Sequence, residues 1–327
     1  MSERILLTGC AGFIGSFVAR RLCEMGYQVL GVDDLNDYYD VNLKLWRLEL
    51  LSEYKNFEFL KMDISSRESV FSLKGQKFSA ILNLGARAGV RASLKNPKLY
   101  FDVNLTGTLN LLDLCVQNGI KKFVLASTSS IYANCPLPFT EDMRTDFLIS
   151  PYASSKKSAE LICYTYHHIY GIDVTVPRYF TVYGPAGRPD MSVFIFVKNI
   201  MEGRPIRIFG DGKQKRDFTY IDDIVDGTIR CMELGSGFDI INLGNNKPVE
   251  LIYVVRLIEQ NLSKTANIIF EKPNLLDLPA TWADINKAQN LLRWTPKTSI
   301  EDGIRRTVEW FIQNEKRIRK IKVEDWS

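Results

Sequence analysis

Thr8-Gly9-Cys10-Ala11-Gly12-Phe13-Ile14-Gly15 decides how the rest of this chain is read. The apolar run Arg4–Thr8 before it has the texture of a strand, and residues 13–25 after it carry a helical pattern. Glycines at 9, 12 and 15 fall where a strand turns sharply into a helix. They permit the tight turn, the close approach of a pyrophosphate, and close packing of helix on strand. The free N–H groups of such a helix N-terminus attract anions. Glycine spacing alone is a weak sign; the strand before and the helix after make this a dinucleotide loop. Gly9, Gly12, Phe13, Ile14 and Gly15 are therefore candidate cofactor contacts.

Strand-like runs recur at Gln28–Asp33, 57–62, 80–84, 123–127 and Asp173–Tyr179, with helical patterns at 66–73, 97–118 and 152–170. Repeated βα units predict an α/β fold with a doubly wound parallel (Rossmann) sheet, whose ligands bind at the carboxyl ends of the strands. Asp33 ends the second strand, where a carboxylate accepts hydrogen bonds from a ribose and repels a 2′-phosphate. NAD is thus favoured over NADP, and Asp34 adds to that bias. Asp63 and Ile64 end the third strand, in reach of an adenine. Leu84 and Ala86 flank Gly85 at the end of the fourth, where small residues let the backbone pass close to a cofactor.

After residue 180, loops richer in Gly and Pro appear, as in Tyr183-Gly-Pro-Ala-Gly-Arg-Pro189 and Gly210-Asp-Gly212, with helical patterns at 193–202, 249–262 and 300–314. The expected organisation is an NAD-binding domain over 1–180 and a smaller C-terminal α/β substrate lobe over 181–327. Residues 220–245 are expected to return to the first domain, through 221–234 and Phe238–Leu243.

Tyr152 and Lys156 carry the chemistry in Ser150-Pro151-Tyr152-Ala153-Ser154-Ser155-Lys156. Ser150 can cap a helix and Pro151 fits its first position, which puts both side chains on one face. An ammonium beside a phenol stabilises the phenolate and makes it a usable general base. The hydroxyl run Ser127-Thr128-Ser129-Ser130 ends the fifth strand and should face the same crevice, where it can hold a sugar alcohol and help pass its proton to Tyr152.

The 327 residues carry a formal net charge of +4 and no long basic block, so no nucleic-acid partner is expected. The short basic tail over 316–322 reads as a solvated helix end. Six cysteines without a C-x-x-C pair read as small core residues in a reducing compartment. No signal peptide or membrane-spanning run is read, and a cytoplasmic location follows. His167 and His168 read as helix-surface residues, and no metal site is expected.

Taken together, Gly9-x-x-Gly12-x-x-Gly15, Asn104-Leu-Thr-Gly107-Thr-Leu-Asn110, Tyr152-x-x-x-Lys156, Tyr183-Gly184-Pro185 and Arg216-Asp217-Phe218-Thr219-Tyr220-Ile221-Asp222-Asp223 resemble the extended short-chain dehydrogenase/reductase family, in its nucleotide-sugar epimerases and dehydratases. Asp34-Leu-Asn-Asp-Tyr-Tyr-Asp40 and Ala88-Gly-Val-Arg91 are similar to the branch of UDP-glucuronic acid 4-epimerases. The resemblance implies C4 epimerisation between UDP-glucuronic and UDP-galacturonic acid through a 4-keto sugar, with tightly bound NAD+. It implies Tyr152 as base, Lys156 as its partner and a ribose ligand, and Thr128 as a helper at the sugar O4. Ser129, Ser130 and Thr181 would hold the hexuronate carboxylate, Arg91 and Arg188 lie near sugar or phosphates, and Arg216 with Gln214 would bind the diphosphate. It also implies a homodimer through residues 97–118 and 152–170.

The family's 4,6-dehydratases carry Asp-Glu directly after the threonine, and its decarboxylases a Glu at the place of Ser130; this chain has two serines. Epimerases of neutral UDP-hexoses are the nearest alternative, followed by a UDP-glucuronate decarboxylase and a non-catalytic dinucleotide sensor. Asn83, Arg87 and Ala133 depart from the family pattern, where His, Gln and Gly are usual.

Overall fold

The computed structural model describes residues 3–235, 237–273 and 277–323. Seven parallel strands lie side by side in the order Phe57–Lys61, Gln28–Asp33, Arg4–Thr8, Ala80–Asn83, Lys122–Leu125, Asp173–Tyr179 and Phe238–Leu243. Leu6, Leu7, Ile81, Leu82, Phe123 and Val124 are fully buried, as apolar strands covered on both faces must be. Two apolar cores fill the two sides of the sheet. Connections leave Arg4–Thr8 toward Gln28–Asp33 on one side and pair it with Ala80–Asn83 on the other. This reversal of strand order opens a crevice at the carboxyl ends.

The edge strand Phe238–Leu243 comes from the second half of the chain and pairs in register from Phe238↔Val174 to Leu243↔Tyr179. The short strand Ser127–Thr128 joins the main sheet beside Asp173–Tyr179, and the other described strands form small two-stranded sheets: Thr181–Tyr183 with Phe218–Tyr220, Ile206–Phe209 with Ile268–Glu271, and Lys215–Arg216 with Val249–Glu250.

Several predicted elements differ in detail. The fifth strand covers Lys122–Leu125 and closes with a ladder bond from the Ala126 N–H to the Asn83 carbonyl at 3.0 Å; Ser127–Thr128 then pairs separately with Arg178 and Tyr179. The helix expected over 97–118 widens into a π turn at Asp102–Thr106, between Pro97–Phe101 and Gly107–Asn118. The helix expected from residue 249 starts at Leu251, since Val249–Glu250 is spent on strand pairing. A helix not expected at all, Val41–Leu51, is capped by Asp40, which accepts from the Asn42 N–H.

The basic tail is docked, not simply solvated. Arg317 lies over the Trp46 ring at 4.6 Å and pairs with Glu49, Ile318 and Ile321 are buried, and the Lys322 N–H donates to Asp40 at 2.7 Å. The reading as a solvated end missed the two isoleucines between the charges.

Under the hydroxyl strand sits a buried ion pair. Arg178 donates through Nε and Nη2 to the two oxygens of Glu160, at 2.9 and 2.7 Å, and both side chains are almost fully buried. Ser127 donates to Glu160 at 2.6 Å. Arg178 Nη1 donates to the Tyr132 hydroxyl, and Tyr132 donates to Asn242 Oδ1, each at 2.7 Å. Removing one partner strands a buried charge, whereas removing both does not. Arg178→Met should cost about 3–5 kcal/mol of stability, and the double variant with Glu160→Leu should recover part of it, read by urea unfolding of the three proteins.

Candidate active site

A cavity of about 710 Å³ opens at the carboxyl ends of the strands, and every candidate cofactor, catalytic and substrate residue named above from Gly9 to Arg216 lines it. One end is the glycine loop. Gly9 has φ +72°, and a Cβ there would come within 2.7 Å of the Gly85 nitrogen; a Cβ on Gly15 would sit 2.0 Å from the Gly9 carbonyl oxygen. No side chain fits at either position. The helix Phe13–Glu24 has no side-chain cap and no acidic residue in its first turn. Its N–H groups thus face the cavity as an anion cradle.

Asp33 is buried and accepts from the Ala11 N–H at 3.2 Å and the Leu35 N–H at 2.9 Å. Burial pushes its carboxyl above the usual range, and Lys44 pulls it back. Asp63 accepts from the backbone and hydroxyl of Ser65 at 2.8 and 2.7 Å, with Ile64 buried beside it.

Asn83, the departure from histidine, has a structural part. The Thr8 hydroxyl donates to Asn83 Oδ1 at 2.7 Å, and Asn83 Nδ2 donates to Thr108 at 3.0 Å. Ala133 lies at φ −50°, where alanine is unstrained and glycine is not required.

The catalytic candidates meet at the centre. Helix Pro151–Tyr170 begins at Ser150, whose hydroxyl accepts from the Ala153 N–H, with Pro151 at its first position. Asn104, freed by the π turn, donates to Ser155 on this helix at 2.9 Å and to the Arg87 carbonyl at 3.0 Å, and accepts from the Arg87 N–H at 2.8 Å. The widened turn thereby ties the fourth strand's loop to the Tyr152 helix. Tyr100 meets Tyr152 edge-on at 6.2 Å. Thr128 accepts from the Ser130 N–H at 3.1 Å and its hydroxyl donates to Ser130 Oγ at 3.2 Å.

Burial raises the Tyr152 phenol; the Thr128 hydroxyl and then Arg188 pull it back. Lys156 is itself pushed down to about 8 by burial, against the pull of Glu160. Its ammonium makes no hydrogen bond among the described residues, and it is 3% exposed. A buried cation without a partner suits a ligand that brings hydroxyls to it.

At the other end, Arg188 is held by Asp190, with Nε donating at 2.9 Å. Arg91 pairs with Asp277 at 2.6 Å and lies over the Phe209 ring. Gln214 donates to the Phe209 carbonyl at 2.8 Å. Arg216 donates to the Lys215 carbonyl, and burial lowers its pKa.

Sequence reasoning missed Lys44 and Arg47, both on the unexpected helix. Arg47 is buried and donates to the carbonyls of Ala11, Ala186 and Gly187, at 3.0, 2.7 and 3.0 Å, and to the Tyr39 hydroxyl at 2.7 Å. It joins the glycine loop to the loop that carries Arg188. No sequence signal separates it from a solvated helix charge.

Lys156 gives a pH test. Its folded pKa lies below its unfolded value, so between about pH 8 and 10.5 the unfolded chain holds more protons and stability rises with pH. In nucleotide-free protein the stability of the wild type relative to Lys156→Met should therefore climb through that window. Parallel urea curves from pH 7 to 10.5 check this; a flat difference would refute it.

The pattern of the NAD dependent epimerase/dehydratase family matches residues 5–244. A UDP-glucuronate 4-epimerase of Thermodesulfobacterium geofontis is 53% identical over 97% of this chain and 99% of its own. The crystal structure of UDP-glucuronic acid 4-epimerase from Bacillus cereus, in complex with UDP-glucuronic acid and NAD, superposes with a TM-score of 0.90 at 35% identity, covering 95% of this chain and 99% of that one. A UDP-glucose 4-epimerase from Thermotoga maritima with UDP-glucose gives 0.86 at 31% identity, covering 96% and 100%. With a dinucleotide loop, a Tyr-x-x-x-Lys helix and these likenesses along nearly its whole length, the chain belongs to the NAD dependent epimerase/dehydratase family.

Proposed function

We propose that this protein interconverts UDP-glucuronic and UDP-galacturonic acid at C4, keeping its NAD through the cycle. The observation that carries this reading is the hydroxyl wall: Thr128, Ser129, Ser130 and Thr181 line the cavity with Tyr152, and no carboxylate stands among them. The similarity to UDP-glucuronate 4-epimerases supports it.

The glycine loop, Asp33, Asp63, Ile64, Leu84, Ala86 and Lys156 would hold the dinucleotide. When bound, NAD+ supplies the acceptor, and later the donor, for the hydride at C4. Tyr152 takes the proton of the C4 hydroxyl, with Thr128 in the hydrogen-bond path, and returns it once the flat 4-keto sugar has presented its other face. A phenol raised by burial needs positive charge nearby to act as base, and Arg188 contributes it. Ser129, Ser130 and Thr181 bind the carboxylate by donating hydrogen bonds. Having no acid–base group near neutrality, they hold a β-keto acid without promoting loss of CO2.

Arg216, with Gln214, takes the UDP diphosphate, where two charged oxygens suit a guanidinium fork. Arg91 and Arg188, fixed by Asp277 and Asp190, set the positive potential around the sugar. Residues 1–180 with 220–245 act as the NAD-binding domain and the remainder as the sugar-nucleotide lobe, a division supported by the strand Phe238–Leu243 in the main sheet. A homodimer is supported by the exposed apolar Leu161, Tyr164 and Ile169 on the Tyr152 helix. No helix among the described residues is long and apolar enough to cross a membrane.

Incubation with UDP-glucuronate and no added NAD, followed by NMR, should yield UDP-galacturonate. A UDP-pentose would identify a decarboxylase instead, and activity confined to neutral UDP-hexoses would move the substrate class. Tyr152→Phe should lower turnover by about 10²–10⁴-fold; near-normal turnover would remove Tyr152 from the mechanism. Sedimentation velocity should give the mass of two chains, and a single-chain mass would refute the dimer.

A further inference from the structure

Residues 315–323 tie together two helices that each line the cavity. One is Val41–Leu51, which follows the loop of Asp33 and Asp34 and lines the cavity through Lys44. Through Arg47 it is fastened to the Ala11 carbonyl of the glycine loop. The other is Ser192–Met201 in the second half of the chain, which lines the cavity through Ser192, Ile195 and Phe196.

The tail holds each helix by defined contacts. On the first, Arg317 pairs with Glu49 and lies over the Trp46 ring at 4.6 Å. The Lys322 N–H donates to Asp40, the cap of that helix, at 2.7 Å. On the second, buried Lys198 donates to the Ile318 carbonyl at 2.7 Å. Between these holds, Ile318 and Ile321 are buried in the same apolar core as Leu43, Trp46 and Phe194. Val323, the next residue after the Asp40 bond, lines the cavity itself.

Parting the two helices along this seam would bare both isoleucines and break the bonds of Lys198 and Lys322. Burial of one isoleucine shifts such an equilibrium by about 10-fold or more, so the docked tail keeps an opened form rare. We propose that residues 315–323 are a strap that holds the helix Val41–Leu51 against the glycine-loop end of the cavity and sets how slowly the dinucleotide leaves. This inference rests on the proposed resident NAD and names what keeps it in place. An enzyme that returns the hydride it takes has no need to exchange its cofactor, and a closed strap suits it.

Nucleotide-free protein loaded with labelled NAD+ and chased with unlabelled NAD+ tests this. The double variant Ile318→Ser, Ile321→Ser should release label about 10-fold faster or more. Arg317→Ala, which leaves the isoleucines in place, should release it about 2–5-fold faster. Arg319→Ala should match the wild type, because that exposed side chain bonds to Glu315 within the strap. Epimerisation by the double variant should fade on dilution, and saturating NAD+ should restore wild-type turnover. Wild-type release rates in the double variant and in Arg317→Ala would overturn the strap. So would turnover that stays depressed at saturating NAD+, which would make the segment a support of the catalytic centre. If the double variant does not fold, the Arg317→Ala rate decides. A wild type that takes up no labelled NAD+ would refute the resident cofactor itself, before any variant is compared.

Discussion

The buried pair Glu160–Arg178 fixes the geometry on which the site depends. Glu160 lies two helical turns beyond Tyr152, Arg178 lies on the neighbouring strand, and Ser127 precedes Thr128 directly. One carboxylate thus sets the Tyr152 helix, the hydroxyl run and the sixth strand against one another. Tyr132 and Asn242 extend the same network to the edge strand from the second half of the chain. Charge is costly to bury, so such a pair tolerates little change in geometry. That intolerance keeps the Tyr152 phenol beside the Thr128 hydroxyl.

Polar groups around the cavity divide into those already satisfied and those left waiting. Arg91 and Arg188 are held by Asp277 and Asp190, which fixes their orientation before any ligand arrives. Lys156, and Lys44 and Arg87 at the glycine loop, keep idle donors. A preorganised site needs both kinds, because the fixed charges shape the field and the idle donors bind.

Much of the fold was legible because its signals are local. Glycine spacing, apolar strands and the Ser-Pro start of the Tyr152 helix all act within a few residues. The helix Val41–Leu51 escaped notice because Lys44 and Arg47 are buried on a face that sequence alone reads as solvated. The π turn at Asp102–Thr106 escaped because Asn104 makes its case only through contacts with Ser155 and Arg87, distant in sequence. The tail shows the same limit: Ile318 and Ile321 find Trp46's helix only in three dimensions. Spacing on a helix gives Tyr152 and Lys156 a shared face, but burial, which local sequence does not show, raises the phenol and lowers the ammonium.

Arg47 joins two loops, donating to Ala11 in the glycine loop and to Ala186 and Gly187 beside Arg188. One planar group thus carries donors to both loops and fixes how the start of the first helix sits against the segment that leads to Arg188. A change at this one buried guanidinium reaches two loops more than 130 residues apart in sequence, each by way of the backbone and so whatever side chains those loops carry.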